Sequence, residues 1–277
     1  KHFSNSYNMP KISVIMSVHN GERHLAESIE SILGQSFTDF ELIIVDDCSN
    51  DKTSDILKGY SYKDPRVKII MNEKNLGLTI SLNIGIKSSK GEYIARMDAG
   101  DTSEKKRFEK QVRFLYENQD HVLVGSFAHT FDDDSRIVGE MKYGTDDKTL
   151  KKTLIKINPL VHSSIMMRRR AFEQAGGYNE EWRYCQDYEL YFRLARLGKF
   201  ANLPEYLVSY RMTPNSITRR KNKKQVSFAI KARTKAIKEG QYPFWAYFYL
   251  LRPTIGLVLP YKLKYILKKH ENSLHHN

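Results

Sequence analysis

Cysteine is scarce in this chain: Cys48 and Cys185 are the two among 277 residues. Two cysteines cannot build a disulfide framework, and neither has the companion ligands of a zinc site. A reducing compartment fits, and the cytoplasm is the simplest assignment. Phosphate-cradling loops are missing too, since neither G-x-x-x-x-G-K-[ST] nor G-x-G-x-x-G follows a strand pattern. That argues against P-loop and dinucleotide-binding enzymes. Glycine and proline are few, at 15 and 8 residues, which excludes collagen-like and low-complexity chains. There is no internal repeat. The polar stretch Lys1 to Asn8 carries no secretory pattern, and Met9 reads as the natural start, so residues 1–9 are expected to lie outside the fold.

What is present is an apolar content of 40%, with 12% aromatics, enough to bury a core in one large domain or in one domain with an appendage. Charge is uneven. From Arg219 to Asn277 stand 14 lysines and arginines against Glu239 and Glu271, which places +12 of the chain's +13 there. We therefore read a near-neutral body over residues 10–218 and a basic, aromatic extension over 219–277, whose partner should be anionic.

Within the body, apolar runs alternate with helical stripes. Ile12 to Met16, Leu42 to Val45, Val67 to Met71, Tyr93 to Met97 and Val122 to Val124 read as strands buried on both faces. Between them, Leu25-Ile29-Ile32-Leu33, Leu78-Leu82-Ile86 and Phe108-Val112-Leu115 recur at helical spacing. The fold class is α/β, a mostly parallel sheet flanked by helices. Further on, the Asp-rich stretch Phe131 to Ser135 suggests a hairpin. A strand at Ser163 to Met167, a helix at Asp187 to Leu197 and a strand at Tyr206 to Tyr210 complete the body.

Open α/β sheets bind ligands beyond the carboxyl ends of their strands. Ser17, His19, Asn20 and Glu22 follow the first strand, Asp46 and Asp47 the second, and Asp98 and Asp101 the fourth. Any one acid there could simply cap a helix, an alternative that holds for Asp51 and Ser103. The set exceeds that need. A crevice of carboxylates repels a diphosphate unless a divalent cation stands between them, and hard Mg²⁺ or Mn²⁺ prefers oxygen ligands. Alternatively, one carboxylate accepts hydrogen bonds from a base or ribose. Both are features of nucleotide-sugar sites.

The stretches PKISVIMSVHNGE (10–22), LIIVDDCS (42–49), NLGL (75–78), GEYIARMDAGD (91–101), GGY (176–178) and QDYEL (186–190) resemble the family 2 glycosyltransferases of GT-A fold. Their order and spacing match from about Pro10 to about Tyr210. The resemblance implies transfer of a sugar from a nucleotide sugar with inversion at the anomeric carbon. It implies that Ser17, His19, Asn20 and Glu22 hold the nucleotide. Asp47 would recognise the uracil edge or ribose, supported by Asp46, with Asn75 and Gly77 in a neighbouring loop. Asp98 and Asp101 would bind Mn²⁺ or Mg²⁺ on the donor diphosphate, and Asp187 would be the catalytic base. Uracil is the expected base, with thymine and guanine as alternatives. Three departures stand out: Gly100 replaces the middle Asp of an Asp-Ala-Asp-Asp run; Ser17, His19 and Cys48 replace Pro, Tyr and Gly; Thr213 stands where a His often follows Tyr210-Arg211.

An acceptor hydroxyl is a poor nucleophile, so a carboxylate must take its proton as the new bond forms. Asp187 is the choice, ionised at neutral pH if it keeps an ordinary pKa of about 3.9. Its alternative is a helix cap. His162 could touch the acceptor or be structural; Trp182 and Tyr184 could stack on the acceptor sugar or pack in the core. Arg96 could bind the nucleotide sugar or pair with a carboxylate.

In the extension, basic residues from Arg219 to Lys238 precede the 20-residue apolar segment Tyr242 to Tyr261. A span needs about 20 such residues, but Arg252 and three prolines argue against one. Aromatics beside a basic flank suit a membrane interface. The expectation is a peripheral enzyme on the inner face of the cell membrane, held through residues 219–270. It would add a hexose or N-acetylhexosamine to a lipid-linked glycan acceptor in the synthesis of a surface polysaccharide, O-antigen or capsule. The competing reading packs the segment on the body or on a second subunit, giving a homodimer. A nucleic-acid partner is not expected, because the basic residues flank an apolar segment and form no reading element. A non-catalytic nucleotide-sugar binder is the remaining rival.

Overall fold

The computed structural model describes residues 10–134, 136–212 and 222–258. The expectations for residues 1–9, Thr213, Arg219 to Lys221, and Lys262, Lys264, Lys268 and Lys269 lie outside the described residues. The chain divides into two compact units, residues 1–214 and 215–277.

The strands of the first unit are β1 (Ile12–Val18), β2 (Phe40–Asp46), β3 (Val67–Met71), β4 (Tyr93–Arg96), β5 (Thr102–Ser103), β6 (His121–Phe131), β7 (Ile137–Met141), β8 (Met166–Arg168) and β9 (Lys199–Arg211). They form one sheet in the order β3-β2-β1-β4-β8-β6-β9-β5, with β7 paired on β6. The first four run parallel; β8 lies antiparallel between β4 and β6. Helices α1 (Leu25–Leu33), α2 (Thr53–Lys63), α3 (Leu78–Lys87), α4 (Arg107–Glu117), α5 (Asp147–Leu154), α6 (Arg169–Gln174) and α7 (Gln186–Leu194) connect them. The chain builds β2 and β3 on one side of β1, then crosses to β4 on the other. Such a switch point is where open α/β sheets bind their ligands, here beyond the carboxyl ends of β1 and β4.

β1 and β2 are buried almost throughout because apolar side chains occupy both faces, and α1 and α4 cover one of them with Leu25, Ile29, Phe108 and Leu115. Two expectations need correcting, and one helix had no pattern to mark it. β3 is an edge strand with Lys68 and Met71 exposed, so it is not buried on both faces. α2 was not legible, since it buries only Thr53 and Leu57 and is held by packing rather than by an apolar stripe. The strand expected from Ser163 begins as a 3₁₀ turn, His162–Ser164, because the serine hydroxyls bond other groups: Ser164 Oγ donates to Val161 O at 2.9 Å, and Ser163 serves the carboxylates described below. The Asp-rich turn does join a hairpin, β6 to β7.

Candidate active site

At the ends of β1 and β2 the two following turns are tied together. Asn20, with φ 54°, accepts from Asn50 N at 2.9 Å through Oδ1 and donates its own N–H to Ser49 Oγ at 2.9 Å. Glu22 accepts from Lys52 N at 3.0 Å, while Asp51 accepts from Glu22 N and from Thr53 N. Ser17 is half-buried on β1, whereas His19 and Asn20 are exposed on the rim. Asp46 is fully buried and accepts from Ser49 N at 2.9 Å and Ser54 Oγ at 2.7 Å, which makes it the anchor of the β2 turn.

Asp47 is 3% exposed. Its Oδ1 accepts from Asn72 Nδ2 and Leu76 N, and its Oδ2 from Gly77 N, all at 2.8 Å. Burial alone would raise its pKa, but these donors outweigh it and hold the carboxyl below the usual range. Asp47 thus staples the Asn75–Gly77 loop to the end of β2. Gly77 takes φ +88°, a conformation that favours glycine. Cys48, with φ 61°, holds the same left-handed region with a side chain.

A second group gathers beyond β4. Arg96, 1% exposed, pairs with Asp98, whose side chain is 35% exposed. Ser163 Oγ lies 3.0 Å from Asp98 Oδ2 and also bonds Asp101. Burial would raise Asp98, yet the Arg96 guanidinium beside it holds its pKa down. Asp101 behaves oppositely: burial and the charge of Asp98 push it up to about 7. It is 3% exposed and accepts from Arg211 N at 2.8 Å through Oδ1. Asp101 therefore ties the β4 loop to β9, and of the two acids expected to bind metal Asp98 is the more exposed.

Asp187 stands in the first turn of α7, just after Cys185 at φ 54°. Its Oδ2 accepts from Asn158 Nδ2 at 2.8 Å. Burial raises its pKa; the Tyr188 N–H and Asn158 oppose this, Asp98 adds to it, and the net direction is upward. This corrects the expectation of an ordinary aspartate. Residues 98 and 187, far apart in sequence, are close enough for one charge to shift the other. Asn158 was missed in the sequence. Its own Oδ1 accepts from Leu160 N at 3.2 Å, which turns its amide nitrogen toward Asp187, and the Asn-Pro pair at 158–159 was the available signal.

His162 Nε2 lies 2.8 Å from Tyr178 OH, and burial, aided by Arg96, pushes its pKa down to about 3, so the ring is neutral. Trp182 is 2% exposed and its carbonyl accepts from Thr79 Oγ1 at 2.7 Å. It belongs to the core, and the expected stacking on an acceptor is corrected accordingly. Tyr184 is half-buried.

Among the described residues, no group of three or more His, Cys, Asp or Glu side chains is placed to hold a metal ion. Gly100 offers no ligand and Asp101 faces inward, leaving one partly exposed carboxylate, Asp98. Such a site still fits Mg²⁺ or Mn²⁺, which are bound through one or two carboxylates and complete their shells with phosphate oxygens and water.

A family model described as Glycosyl transferase family 2 matches residues 13–176. The chain is 35% identical over 260 residues to MJ1057 of Methanocaldococcus jannaschii, named as an uncharacterized glycosyltransferase, covering 90% of this chain and 89% of that one. It is 34% identical over 211 residues to the O-antigen biosynthesis glycosyltransferase WbnJ of Escherichia coli, covering 73% and 79%. Among solved structures, S. aureus TarS 1-349 in complex with UDP-GlcNAc is similar with a TM-score of 0.69 at 18% identity, over 92% of this chain and 77% of that chain. The mannosyltransferase PcManGT from Pyrobaculum calidifontis, in complex with GDP-Man and Mn²⁺, has a TM-score of 0.67 at 14% identity, over 96% and 81%. At these identities the structures speak for the fold alone, which is GT-A.

Proposed function

Because this chain belongs to glycosyltransferase family 2, we propose that it moves a hexose or N-acetylhexosamine, with inversion, from a nucleotide sugar to a glycan hydroxyl in surface polysaccharide synthesis. The observation that supports the reading is that Asp98 and Asp187, remote in sequence, lie near enough for the charge of Asp98 to raise the pKa of Asp187, with Asn158 donating to Asp187 at 2.8 Å. UDP is the favoured nucleotide, supported by the UDP-GlcNAc complex of a structural relative.

In this reading, Ser17, His19, Asn20 and the Asp47-held loop seat the base and ribose. Asp187 Oδ accepts the proton of the acceptor hydroxyl as the new C–O bond forms and the bond to the diphosphate breaks, in one displacement without a covalent sugar–enzyme intermediate. Asp98 would be the residue that holds Mg²⁺ or Mn²⁺, which when bound would supply Lewis-acid stabilisation of the leaving group. Arg96 keeps Asp98 ionised from below. His162 is neutral and paired with Tyr178, and Tyr184, half-buried, would be available to the acceptor.

The acceptor is lipid-linked and the enzyme works peripherally at the cytoplasmic face of the membrane, supported by the +12 charge of the extension. Among the described residues, no helix is long and apolar enough to cross a membrane.

A thermal-shift screen of UDP, GDP and dTDP, then their sugars, with Mn²⁺ present should raise Tm most for UDP and UDP-sugars. No shift with any nucleotide would overturn the reading. The inward-facing Asp101 and missing side chain at Gly100 favour one rival, a binder without turnover; nucleotide release from the donor, with and without Mn²⁺, separates the two.

The pH profile offers another check. Asp187 works as a base only when unprotonated, and its pKa is raised, so kcat/KM should fall on acidification along a limb lying above the about 3.9 of an ordinary aspartate. Asn158→Ala removes a hydrogen bond that favours the ionised form, so its limb should move further up while the alkaline plateau keeps its pH. An unmoved limb would deny Asn158 this role.

A further inference from the structure

In the second unit, α8 (Asn222–Lys238) is followed by a 3₁₀ turn, Phe244–Tyr247, and α9 (Phe248–Val258). α9 packs on α8, and Ala246 and Leu250 are buried together with Ala232, Ala236 and Ile237. That inner face satisfies what an amphipathic helix at a protein surface needs. The outer face should then be polar, and it is not. Phe244, Trp245, Phe248, Leu251 and Ile255 are between 53% and 84% exposed. Residues 244, 248, 251 and 255 recur at spacings of four, three and four, so they line one stripe.

A helix apolar on both faces requires a second apolar environment. Four features say what it is. The stripe is rich in aromatics, and Arg252 is exposed among them, as in helices that lie at a bilayer surface. At about 1.5 Å per residue, the 11 described residues of α9 reach about half of a hydrocarbon core of about 30 Å. The extension carries +12 of the chain's net charge, complementary to an anionic leaflet and repulsive toward a second copy of itself. Pro253 within α9 does not interrupt the stripe.

We propose that this stripe is the membrane-inserting face of the chain: α9 lies in the plane of an anionic leaflet, with Phe244, Trp245, Phe248, Leu251 and Ile255 below the headgroups and the basic residues of the extension at their phosphates. The proposal rests on the membrane-surface reading above and adds where, and by which side chains, contact is made.

The chain has two tryptophans, and Trp182 is buried in the first unit, so a vesicle-induced blue shift reports Trp245. Full-length protein should co-float with vesicles of phosphatidylcholine mixed with phosphatidylglycerol and show that shift. The double variant Phe248→Glu, Leu251→Glu, both at exposed positions, should bind about a hundredfold more weakly, since two large apolar contacts are exchanged for charges. Its nucleotide-induced Tm shift should match the wild type, showing an intact first unit. Equal flotation of variant and wild type would overturn the stripe while leaving charge-driven attachment standing. A wild type that ignores the vesicles would overturn both. A wild-type dimer by light scattering that the variant splits, without vesicle binding, would assign the stripe to a second copy and likewise overturn the proposal.

Discussion

Asp187→Asn should lower kcat by about 10²–10⁴ while leaving nucleotide affinity unchanged, because it removes the proton acceptor and keeps the shape of the side chain. The hydrogen bond from Asn158 can be kept by the amide oxygen of the new Asn, so α7 stays in place. Turnover measured by nucleotide release, beside affinity measured by calorimetry, separates this from a binding defect. If turnover is retained, Asp187 is an acid in the first turn of a helix, where it favours the helix dipole, and nothing more. If turnover and affinity fall together, its role is in binding, not in proton transfer.

Arg107→Met should be the most destabilising single change near the site, at about 3–5 kcal/mol, with Tm lowered by roughly 10 °C or more. Arg107 is 0% exposed on α4. It donates to Arg96 O at 2.9 Å, Ile165 O at 3.2 Å and Gln111 Oε1 at 3.1 Å. Gln111 in turn donates to Ser164 O at 2.7 Å. This buried group ties α4 to β4 and to the turn carrying Ser163. Methionine keeps much of the volume but removes the donor to Arg96 O and to Gln111 Oε1 and leaves Ile165 O with the Arg96 N–H alone, and a buried acceptor that loses its donor costs more than a made hydrogen bond contributes. Thermal and denaturant unfolding read the loss; an unchanged midpoint would mean that the carbonyls find other donors.

Neither Arg107 nor Gln111 drew notice in the sequence, and the reason is general. Periodicity marks which helix face is buried, and Phe108, Val112 and Leu115 located α4 well. It says nothing about a polar side chain on that same face whose partners are carbonyls contributed by β4 and by the turn before β8. Asn158 escaped for the same reason, and so did the burial of Trp182, since an aromatic beside a proposed base fits stacking and packing equally until coordinates place it.

The strand ends, by contrast, could be read directly. A chain that alternates buried strands with amphipathic helices has few ways to fold, and each places residues such as Asn20, Asp47 and Asp98 along one rim. Composition likewise set the basic extension apart from a neutral body. These are properties of order and local pattern, which sequence carries in full. Only the tertiary structure decided which acid of the Asp98 to Asp101 run stays open, that Arg96 serves a carboxylate, and that Asp187 and Asp98 feel each other's charge. Those outcomes depend on distance and burial across segments remote in the chain, and electrostatic and desolvation effects follow distance in space, not separation along the backbone.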